Sequence, residues 1–260
     1  MIDGNRVFHA LLDGERIREL PGDLSVGFGR PGAARPIGDA IWLPPCRPSK
    51  IIGIGRNYRT HAAELGHEPP REPLLFLKPT SSLLPHGGVI RLPAASRRVD
   101  FEGELAVVIS RRARHVPEDR VPEYLFGYTC LNDVTARDLQ KRDLQFTRAK
   151  GFDTFCPLGP CIATGLDPGA LSIRTLVNGQ VRQESSTARM IFGVAVLVSY
   201  VSRIMTLEPG DVLATGTPAG VGPLADGDEV SIVIDGIGAL TNRVAIACDT
   251  EQGADRSVRR

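Results

Sequence analysis

The sequence predicts a β-dominated α+β fold, a β-roll or barrel with short flanking helices, and three observations favour it. Many short apolar segments rich in β-branched residues are separated by turns, in a chain that holds 28 Gly and 20 Pro among 260 residues. Two pairs of such segments flank an Asp-Gly or an Asn-Gly dipeptide, which is typical of a β-hairpin. The best candidate for a long helix is one segment, residues 189–206.

Residues 1–48 are predicted to form a small N-terminal β unit and a linker. The segment VFHALL, the dipeptide Asp13-Gly14 and the segment ERIREL form a hairpin signal, because Asp-Gly tolerates the positive φ angles of a tight turn. A run rich in Pro and Gly follows from Pro31 to Pro48, and it predicts an irregular crossing to the main body.

The main body is predicted over residues 49–250, with a polar tail at 251–260. Its first strand is IIGIG, and a short helix with Gly66 as its stop follows. The segments LLFLKP and VDFEGELAVVIS are predicted strands, the second with a two-face pattern. The stretch from Asp133 to Phe146 is predicted to be helical or turn-like, and Asn178-Gly179 predicts a second hairpin.

The charge balance and the cysteines exclude several classes of protein. Lys plus Arg is 31 and Asp plus Glu is 30, so the whole chain does not attract nucleic acid or an anionic membrane. Five cysteines without a CxxC pair exclude a disulfide framework and a thiolate zinc site. The first 20 residues carry charges throughout, unlike a secretory signal, and no apolar stretch is long enough to span a bilayer. These features predict a cytoplasmic protein with no nucleic-acid or membrane partner.

The acidic segment from Asp100 to Glu104 is the sharpest feature of the chain. Alternate side chains share a strand face, so Asp100, Glu102 and Glu104 are predicted to point the same way, while Phe101 faces the core. Stacked carboxylates repel unless water screens them or a cation lies among them. A solvated outer face is the alternative, but the apolar continuation LAVVI favours a cation site. Gly103 fits a close approach by another backbone or a ligand.

Asp133 is the candidate for a third carboxylate, with a helix N-cap as the alternative. Arg137 and Gln140, three residues apart, are predicted to share a helix face and to bind the carboxylate and carbonyl of a small substrate; surface exposure is the alternative. Three carboxylates without a Cys or His cluster form an all-oxygen site. Such a site favours Mg²⁺, Mn²⁺ or Ca²⁺ over zinc.

Two further pairs of side chains are candidates for catalysis. His61 and Glu64 share a predicted helix face and form a candidate general base for activating water, with a plain surface pair as the alternative. Lys78 and Lys150 lie beside apolar, tightly turning segments, where a cation stabilises an enolate oxygen. Lysines whose charged ends reach solvent are the alternative.

Two Gly-rich segments are weak nucleotide-binding signals. TGTPAGVG, residues 215–222, and GIGRN, residues 53–57, both lack the sequence context of a phosphate-binding loop. Thr217 in the first segment is still a candidate for presenting its hydroxyl and backbone to a carboxylate.

Together, these motifs resemble those of the fumarylacetoacetate hydrolase family. The likeness is greatest to its shorter bacterial members, the isomerase/decarboxylases of aromatic-acid degradation, acylpyruvate hydrolases and oxaloacetate decarboxylases. It runs from about residue 50 to residue 244 and is carried by GIGRNYRTHAAE, FLKPTSSL, VDFEGELAVVI, GYTCLNDVTARDLQ, RAKGFDTFCPLGP and TLEPGDVLATGTPAGVG. The resemblance implies a mixed β-barrel in a homodimer.

The resemblance also implies roles for individual residues. The metal ligands for Mg²⁺ or Mn²⁺ are Glu102, Glu104 and Asp133, with Lys150 beside the metal. The substrate-binding residues are Asn57, Tyr58, Lys78, Arg137, Gln140 and Thr217. The catalytic set is His61, Glu64 and Lys150, and the first two lie on a lid that orders when substrate binds.

The predicted function is metal-dependent chemistry on small 2-oxo or 2-hydroxy-dienoic dicarboxylic acids. A metal-stabilised enolate is expected, formed by C–C hydrolysis or decarboxylation. A keto–enol or diene isomerase using the same site is one alternative. A non-catalytic dimer that binds a small acid is another, and the complete set of candidate residues argues against it.

Overall fold

Strands dominate the computed structural model, which describes residues 1–3, 6–38 and 40–247. Strand accounts for 42% of the described residues against 16% helix, so the predicted β-dominated class is confirmed. The predicted tail and Cys248 lie outside the described residues.

The longer strands are β1 (His9–Asp13), β2 (Arg16–Leu20), β3 (Ile51–Gly55), β4 (Leu74–Lys78), β5 (Val89–Leu92), β6 (Val99–Phe101), β7 (Gly103–Ile109), β8 (Leu125–Asn132), β9 (Cys156–Ala163), β10 (Ser172–Val177), β11 (Gln180–Ser186), β12 (Val212–Ala214), β13 (Glu229–Ile234) and β14 (Gly238–Ile246). Two-residue strands lie at Ile2–Asp3, Arg6–Val7, Gly22–Asp23, Gly27–Phe28, Arg35–Pro36, Leu83–Leu84, Thr135–Ala136 and Gly222–Pro223. The α-helices are α1 (Arg59–Glu64), α2 (Arg137–Arg142), α3 (Thr147–Lys150) and α4 (Val194–Ile204), and 3-10 turns lie at Thr80–Ser82, Glu118–Tyr124 and Thr187–Arg189.

Two sheets enclose the main core. The larger sheet curls into a half barrel with the order Leu83–Leu84, β9, β8, β7, β12, β3, β4. The smaller sheet has the order β5, β14, β13, β10, β11. Each sheet mixes parallel and antiparallel pairs, since β12 runs parallel to β3 and β5 runs parallel to β14. The predicted mixed β-roll is therefore confirmed.

Strand β7 lies at the centre of the larger sheet and is buried on both faces. Leu105 and Val107 point into the main core, while Ala106 and Val108 belong to a second apolar cluster on the opposite face. The alternative of a solvated face, given above for the acidic side chains of this strand segment, is thus wrong, because Asp100, Glu102 and Glu104 are buried. The N-terminal unit packs against this second cluster through Leu24, and Phe28 contacts Phe126 of β8 with ring centroids 5.8 Å apart.

The N-terminal hairpin is confirmed, with its turn one residue later than predicted. Asp13 pairs with Arg16, so Gly14 and Glu15 form the turn, and Gly14 has a φ of +59°. The segment from Pro31 to Pro48, which leads to the main body, is irregular as predicted, apart from the two-residue strand Arg35–Pro36 that pairs with β2. After this segment, the carboxylate of Asp211 holds the chain in place, because it accepts hydrogen bonds from the backbone N–H groups of residues 49 and 50 at 2.9 and 3.1 Å.

Helices in the main body are shorter than their sequence patterns. Helix α1 ends just before Gly66, whose φ of +73° confirms the predicted stop. Helix α4 starts at Val194 rather than residue 189, because the preceding chain is held extended and the N–H of Ile191 donates to the carbonyl of Asn57 at 2.7 Å. Helix α2 starts after Ala136, so the predicted N-cap alternative for residue 133 is wrong. Within the described residues, no helix has both the length and the apolar character required to cross a bilayer.

Cys46 makes the stability of the fold depend on alkaline pH. Its thiol is 2% exposed, and burial raises its pKa from 9.0 to about 12. The unfolded chain ionises this thiol near pH 9 while the folded chain does not, so its contribution is complete below pH 9 and decreases as the pH rises toward 12. At pH 10 the loss is about 1.4 kcal/mol for this one thiol.

Between pH 7 and pH 10, the free energy of unfolding of the unmodified chain is therefore expected to decrease by about 1.4 kcal/mol more than that of the variant Cys46→Ala. Urea unfolding of both proteins at the two pH values measures this difference. Identical pH dependence in the two proteins would show that the thiol is not protected from ionisation by the fold.

Candidate active site

Three carboxylates meet where β7 and β8 pair. Glu102 lies between β6 and β7, Glu104 lies in β7, and Asp133 directly follows β8. The antiparallel pairing aligns Gly103 with Asn132, and the N–H of Asp133 donates to the carbonyl of Glu102 at 2.8 Å. Each acidic side chain is buried, and each offers a carboxylate oxygen within 4.8 Å of the other two. The structure thus brings the three predicted metal ligands together.

Buried cations neutralise two of these carboxylates. The ammonium of Lys150 donates to Glu102 Oε2 at 2.8 Å and also to Asp133 Oδ2, while Lys78 donates to Asp133 Oδ1 at 2.7 Å. Arg137 donates to Glu102 Oε1 at 2.6 Å. Burial disfavours the charged form of Glu102, but Lys150 and Arg137 outweigh it and hold the pKa of that carboxyl well below its ordinary value.

Glu104 has no cationic partner among the described residues. Its carboxylate accepts one hydrogen bond, from the N–H of Gly216 at 2.7 Å. Burial, followed by repulsion from Asp133 and Glu102, raises the pKa of Glu104 well above its ordinary value. The charged form of this carboxyl is therefore disfavoured unless a cation binds beside it, because Lys78, Lys150 and Arg137 pair with the other two carboxylates. An all-oxygen donor set in which one carboxyl lacks a cation of its own fits a hard divalent cation such as Mg²⁺ or Mn²⁺.

His61 and Glu64 lie over the cluster on α1. His61 is 3% exposed, and its Nδ1 lies 3.2 Å from Glu64 Oε2. The other carboxylate oxygen of Glu64 accepts the N–H of Gly220 at 3.0 Å, which ties α1 to the loop after β12. The alternative of a plain surface pair is wrong for the histidine, because its ring is enclosed.

A cavity of about 430 Å³ joins these groups. One part of its wall is apolar and includes Leu65, Leu74 and Phe76. The predicted site residues that line it are His61, Glu102, Glu104, Asp133, Arg137, Gln140, Lys150 and Thr217. A buried acidic cluster, the histidine of a histidine–carboxylate dyad and an apolar wall therefore open into one chamber of the size of a small-molecule site.

The C-terminal domain of the fumarylacetoacetate (FAA) hydrolase family matches residues 50–245. The chain belongs to the fumarylacetoacetate hydrolase family. The resemblance predicted from the sequence motifs is thereby confirmed.

Members of the family with a high similarity to this chain have several names. The chain is 43% identical over 218 residues to oxaloacetate tautomerase YisK of Bacillus subtilis, a match that covers 78% of this chain and 72% of that one. It superposes with a TM-score of 0.84 and 46% identity on a 5-carboxymethyl-2-hydroxymuconate delta-isomerase from Mycobacterium smegmatis, covering 92% and 94% of the two chains. A fumarylpyruvate hydrolase from Pseudomonas aeruginosa, in complex with Mn²⁺ and pyruvate, superposes with a TM-score of 0.73 and 33% identity, covering 81% and 93%.

In this chain, Asp100 does not join the three-carboxylate cluster, although the strand pattern predicted that it would. Its carboxylate accepts from Arg98 at 2.9 Å and from Arg137 at 3.1 Å. The alternation fails because β6 and β7 belong to different sheets and the chain breaks strand geometry at Glu102. Asp100 instead orients an arginine that contacts Glu102.

Arg137 and Gln140 share a helix face as predicted. The Arg137 side chain is buried, and it donates to Gln140 Oε1 at 2.6 Å. Surface exposure, the alternative for Arg137, is therefore wrong. Much of the hydrogen-bonding capacity of its guanidinium is already used by Gln140, Asp100 and Glu102.

Three predicted substrate-binding residues lie behind the cavity rather than in its wall. The ammonium of Lys78 donates to Asp133 Oδ1 and to the carbonyls of Val134 and Lys150, so all its donors are used. The amide of Asn57 bonds backbone groups on both sides. Tyr58 is fully buried, and its hydroxyl has no partner among the described residues. Lys78 thus positions a metal-ligand candidate instead of reaching a substrate.

Gln183 links two parts of the site, a role that was not predicted from the sequence. Its Oε1 accepts the N–H of Gly103 at 3.0 Å and the hydroxyl of Thr175 at 2.7 Å. Its Nε2 donates to Thr217 Oγ1 and to the carbonyl of Pro218, both at 2.8 Å. One buried amide therefore ties β7, which carries the candidate ligand Glu104, to the loop whose Gly216 N–H bonds the Glu104 carboxylate. The sequence signal was a polar residue on the inward face of a hairpin strand.

Gly103 and Thr217 are both hydrogen-bonded to the side-chain amide of Gln183. A Cβ on Gly103 would lie 2.2 Å from Thr175 Oγ1 and 3.3 Å from Gln183 Oε1. The close approach predicted at Gly103 is therefore made by protein side chains, not by a backbone or ligand. The Thr217 hydroxyl donates to the carbonyl of Gly103 at 2.9 Å, so it holds the strand as well as lining the cavity.

The variant Gln183→Leu is expected to weaken Mn²⁺ binding by about 10–100-fold, as typically follows when the groups that orient metal ligands are lost. It removes four hydrogen bonds and leaves the N–H of Gly103, between the two candidate Glu ligands, unpaired. Titration calorimetry with Mn²⁺ measures the affinity. Gln180→Leu, at an exposed position of the same strand, is the matched control. Equal Mn²⁺ affinity in both variants would contradict the positioning role.

Proposed function

We propose that this chain is a divalent-metal-dependent enzyme that moves a proton at the carbon next to the keto group of small 2-oxo dicarboxylic acids, and so interconverts keto and enol forms. The observation that carries the proposal is a buried three-carboxylate cluster, in which Glu104 has no cationic partner among the described residues, in one cavity with the histidine of a histidine–carboxylate dyad. The oxaloacetate tautomerase and the isomerase among its relatives support this reaction class.

The cation would be held by Glu102, Glu104 and Asp133. When bound, Mg²⁺ or Mn²⁺ supplies Lewis-acid stabilisation of the negative charge that a 2-oxo acid develops on enolisation. The relative with Mn²⁺ and pyruvate in its structure supports this use of the site.

His61 acts as the base. With Nδ1–H donating to Glu64, Nε2 remains unprotonated and free to take a proton from the substrate carbon. Glu64 stabilises the imidazolium that results and holds the ring in place through its second bond to the N–H of Gly220. Lys150 adds a positive charge close to the developing oxyanion while it stays paired with Glu102 and Asp133, and its Nζ lies 4.9 Å from the Phe76 ring centroid.

Cleavage of a C–C bond, by hydrolysis or decarboxylation, is the second candidate. It uses the same enolate, and the fumarylpyruvate hydrolase relative favours the hydrolytic form. In this reaction His61 deprotonates a water that attacks the distal carbonyl, whereas loss of CO₂ requires no water.

Metal-stripped protein should be assayed for enol–keto conversion of oxaloacetate, for acylpyruvate hydrolysis and for oxaloacetate decarboxylation. We expect EDTA-treated protein to be inactive, Mn²⁺ or Mg²⁺ to restore activity, and enol–keto conversion to be fastest. Dominant hydrolysis or decarboxylation would favour the second candidate. Metal-dependent binding of these acids without any turnover would support a non-catalytic binding protein instead.

A homodimer is the assembly proposed for the chain. Strand β4 forms an edge of the larger sheet, Leu77 on it is 50% exposed, and nearby Leu144 is 98% exposed. Exposed apolar side chains at an open sheet edge favour self-association. Light scattering should give twice the chain mass, and Leu144→Asp is expected to shift the protein toward the monomer. A monomeric unmodified chain would contradict the proposal.

A further inference from the structure

Arg56 has a strained backbone conformation. Its φ is +57°, in the left-handed region that is unfavourable for a residue with a Cβ. Both neighbours hold it there: Gly55 pairs with Leu74 in the sheet, and the side chain of Asn57 is bonded to backbone groups on two other segments. Such over-determined strain is concentrated at functional sites.

Arg56, which is half-buried, and Lys141, which is exposed, both line the cavity. Neither forms an ion pair or a side-chain hydrogen bond with any residue that the structure describes. Cations deeper in the site differ, because Lys78, Lys150 and Arg137 are all bonded to buried carboxylates. The cavity therefore has an inner set of neutralised cations and an outer pair that is not neutralised.

This outer pair is suited to an anion on the substrate. The inner cations have their acidic partners already, and the apolar side chains of Leu65, Leu74 and Phe76 in the cavity wall offer an anion no hydrogen-bond donor. A 2-oxo acid with one carboxylate would leave Arg56 unpaired in the cavity wall. A second carboxylate at the far end of the substrate would neutralise it, with the planar geometry that a guanidinium recognises.

We propose that Arg56, assisted by Lys141, is the specificity determinant for a distal carboxylate, so that the enzyme selects 2-oxo dicarboxylic acids over 2-oxo monocarboxylic acids. The proposal rests on the proposed function, because it assumes that the 2-oxo group lies at the three-carboxylate cluster. It also assigns a role to the GIGRN segment, which lacks the context for nucleotide binding.

Titration calorimetry of the Mn²⁺-loaded protein tests the proposal. The probes are two pairs of acids that differ in a terminal carboxylate or methyl group: 2-oxoglutarate with 2-oxopentanoate, and 2-oxoadipate with 2-oxohexanoate. We expect the unmodified chain to bind at least one diacid about tenfold or more tightly than its partner. Arg56→Gln should abolish that preference by weakening diacid binding alone, and Arg56→Lys should keep part of it.

Two further variants separate recognition from structure and from general charge. Arg59→Gln removes the same charge from an exposed position three residues away and should leave the preference unchanged. Arg56→Gly relieves the strained φ, so it should unfold at an equal or higher temperature while losing the preference. A lower unfolding temperature together with an unchanged preference would identify Arg56 as merely structural and overturn the proposal.

The possible negative results distinguish failure of the distal-carboxylate site from failure of the proposed function. Equal affinity for diacids and monoacids in the unmodified chain, both dependent on Mn²⁺, would overturn the distal-carboxylate site and leave the proposed function intact. Binding of neither class, or binding unaffected by EDTA, would overturn the proposed function and the distal site with it.

Discussion

Replacing Glu104 with glutamine is expected to abolish metal-dependent turnover while making the metal-free protein more stable. In the described structure this carboxylate is buried beside two others without a cation of its own, so its charge opposes folding when no metal is present. Glutamine removes the charge and keeps an oxygen for the N–H of Gly216. Loss of about 4 kcal/mol of Lewis-acid stabilisation corresponds to roughly a thousandfold loss of turnover.

The matched variant Glu102→Gln should lose turnover equally but change stability in the opposite direction. Glu102 is paired with Lys150 and Arg137, so removing its charge leaves two buried cations with less compensation. Thermal unfolding in EDTA and in Mn²⁺ separates the two effects. Glu104→Gln should unfold at a higher temperature in EDTA and gain little from Mn²⁺. The assignment of Glu104 as a ligand fails if this variant retains the Mn²⁺-induced stabilisation of the unmodified chain.

Replacing His61 with alanine is expected to lower turnover by about 10²–10⁴-fold, the range typical for loss of a general base. The Mn²⁺ affinity should change little, because the predicted ligands are the three carboxylates and not the imidazole. Glu64→Gln should give a smaller loss, since an amide still accepts from Nδ1–H. Thr60→Ala, at an exposed position of the same helix, controls for damage to α1.

The His61 variant also distinguishes between the reactions that share the site. Hydrolysis requires a base for water and should fall more than decarboxylation, which requires none. Steady-state rates on an acylpyruvate and on oxaloacetate make the comparison. Equal losses on the two substrates would exclude a water-activating role, and retention of full enol–keto conversion would exclude the proton-transfer role.

Local signals in the sequence predicted the framework of the molecule. The Asn178-Gly179 turn has positive φ at both residues, and Gly66 ends α1 in the same region, because few residue types accept that conformation. The sequence motifs also identified Glu102, Glu104 and Asp133 as partners, and the structure brings their oxygens within reach of one cation. Requirements that involve one residue and its immediate neighbours can be predicted from the chain alone.

Long-range packing decided how the remaining polar groups are used. Period-two alternation placed Asp100 beside Glu102, but a change of sheet redirected it to arginines. Lys78 was predicted to reach substrate, yet segments far apart in the chain use all its donors. Gln183 became a link between two parts of the site through partners as many as 80 residues away. A buried polar group must satisfy its hydrogen bonds wherever the fold provides partners, and those partners exist only after distant segments have packed.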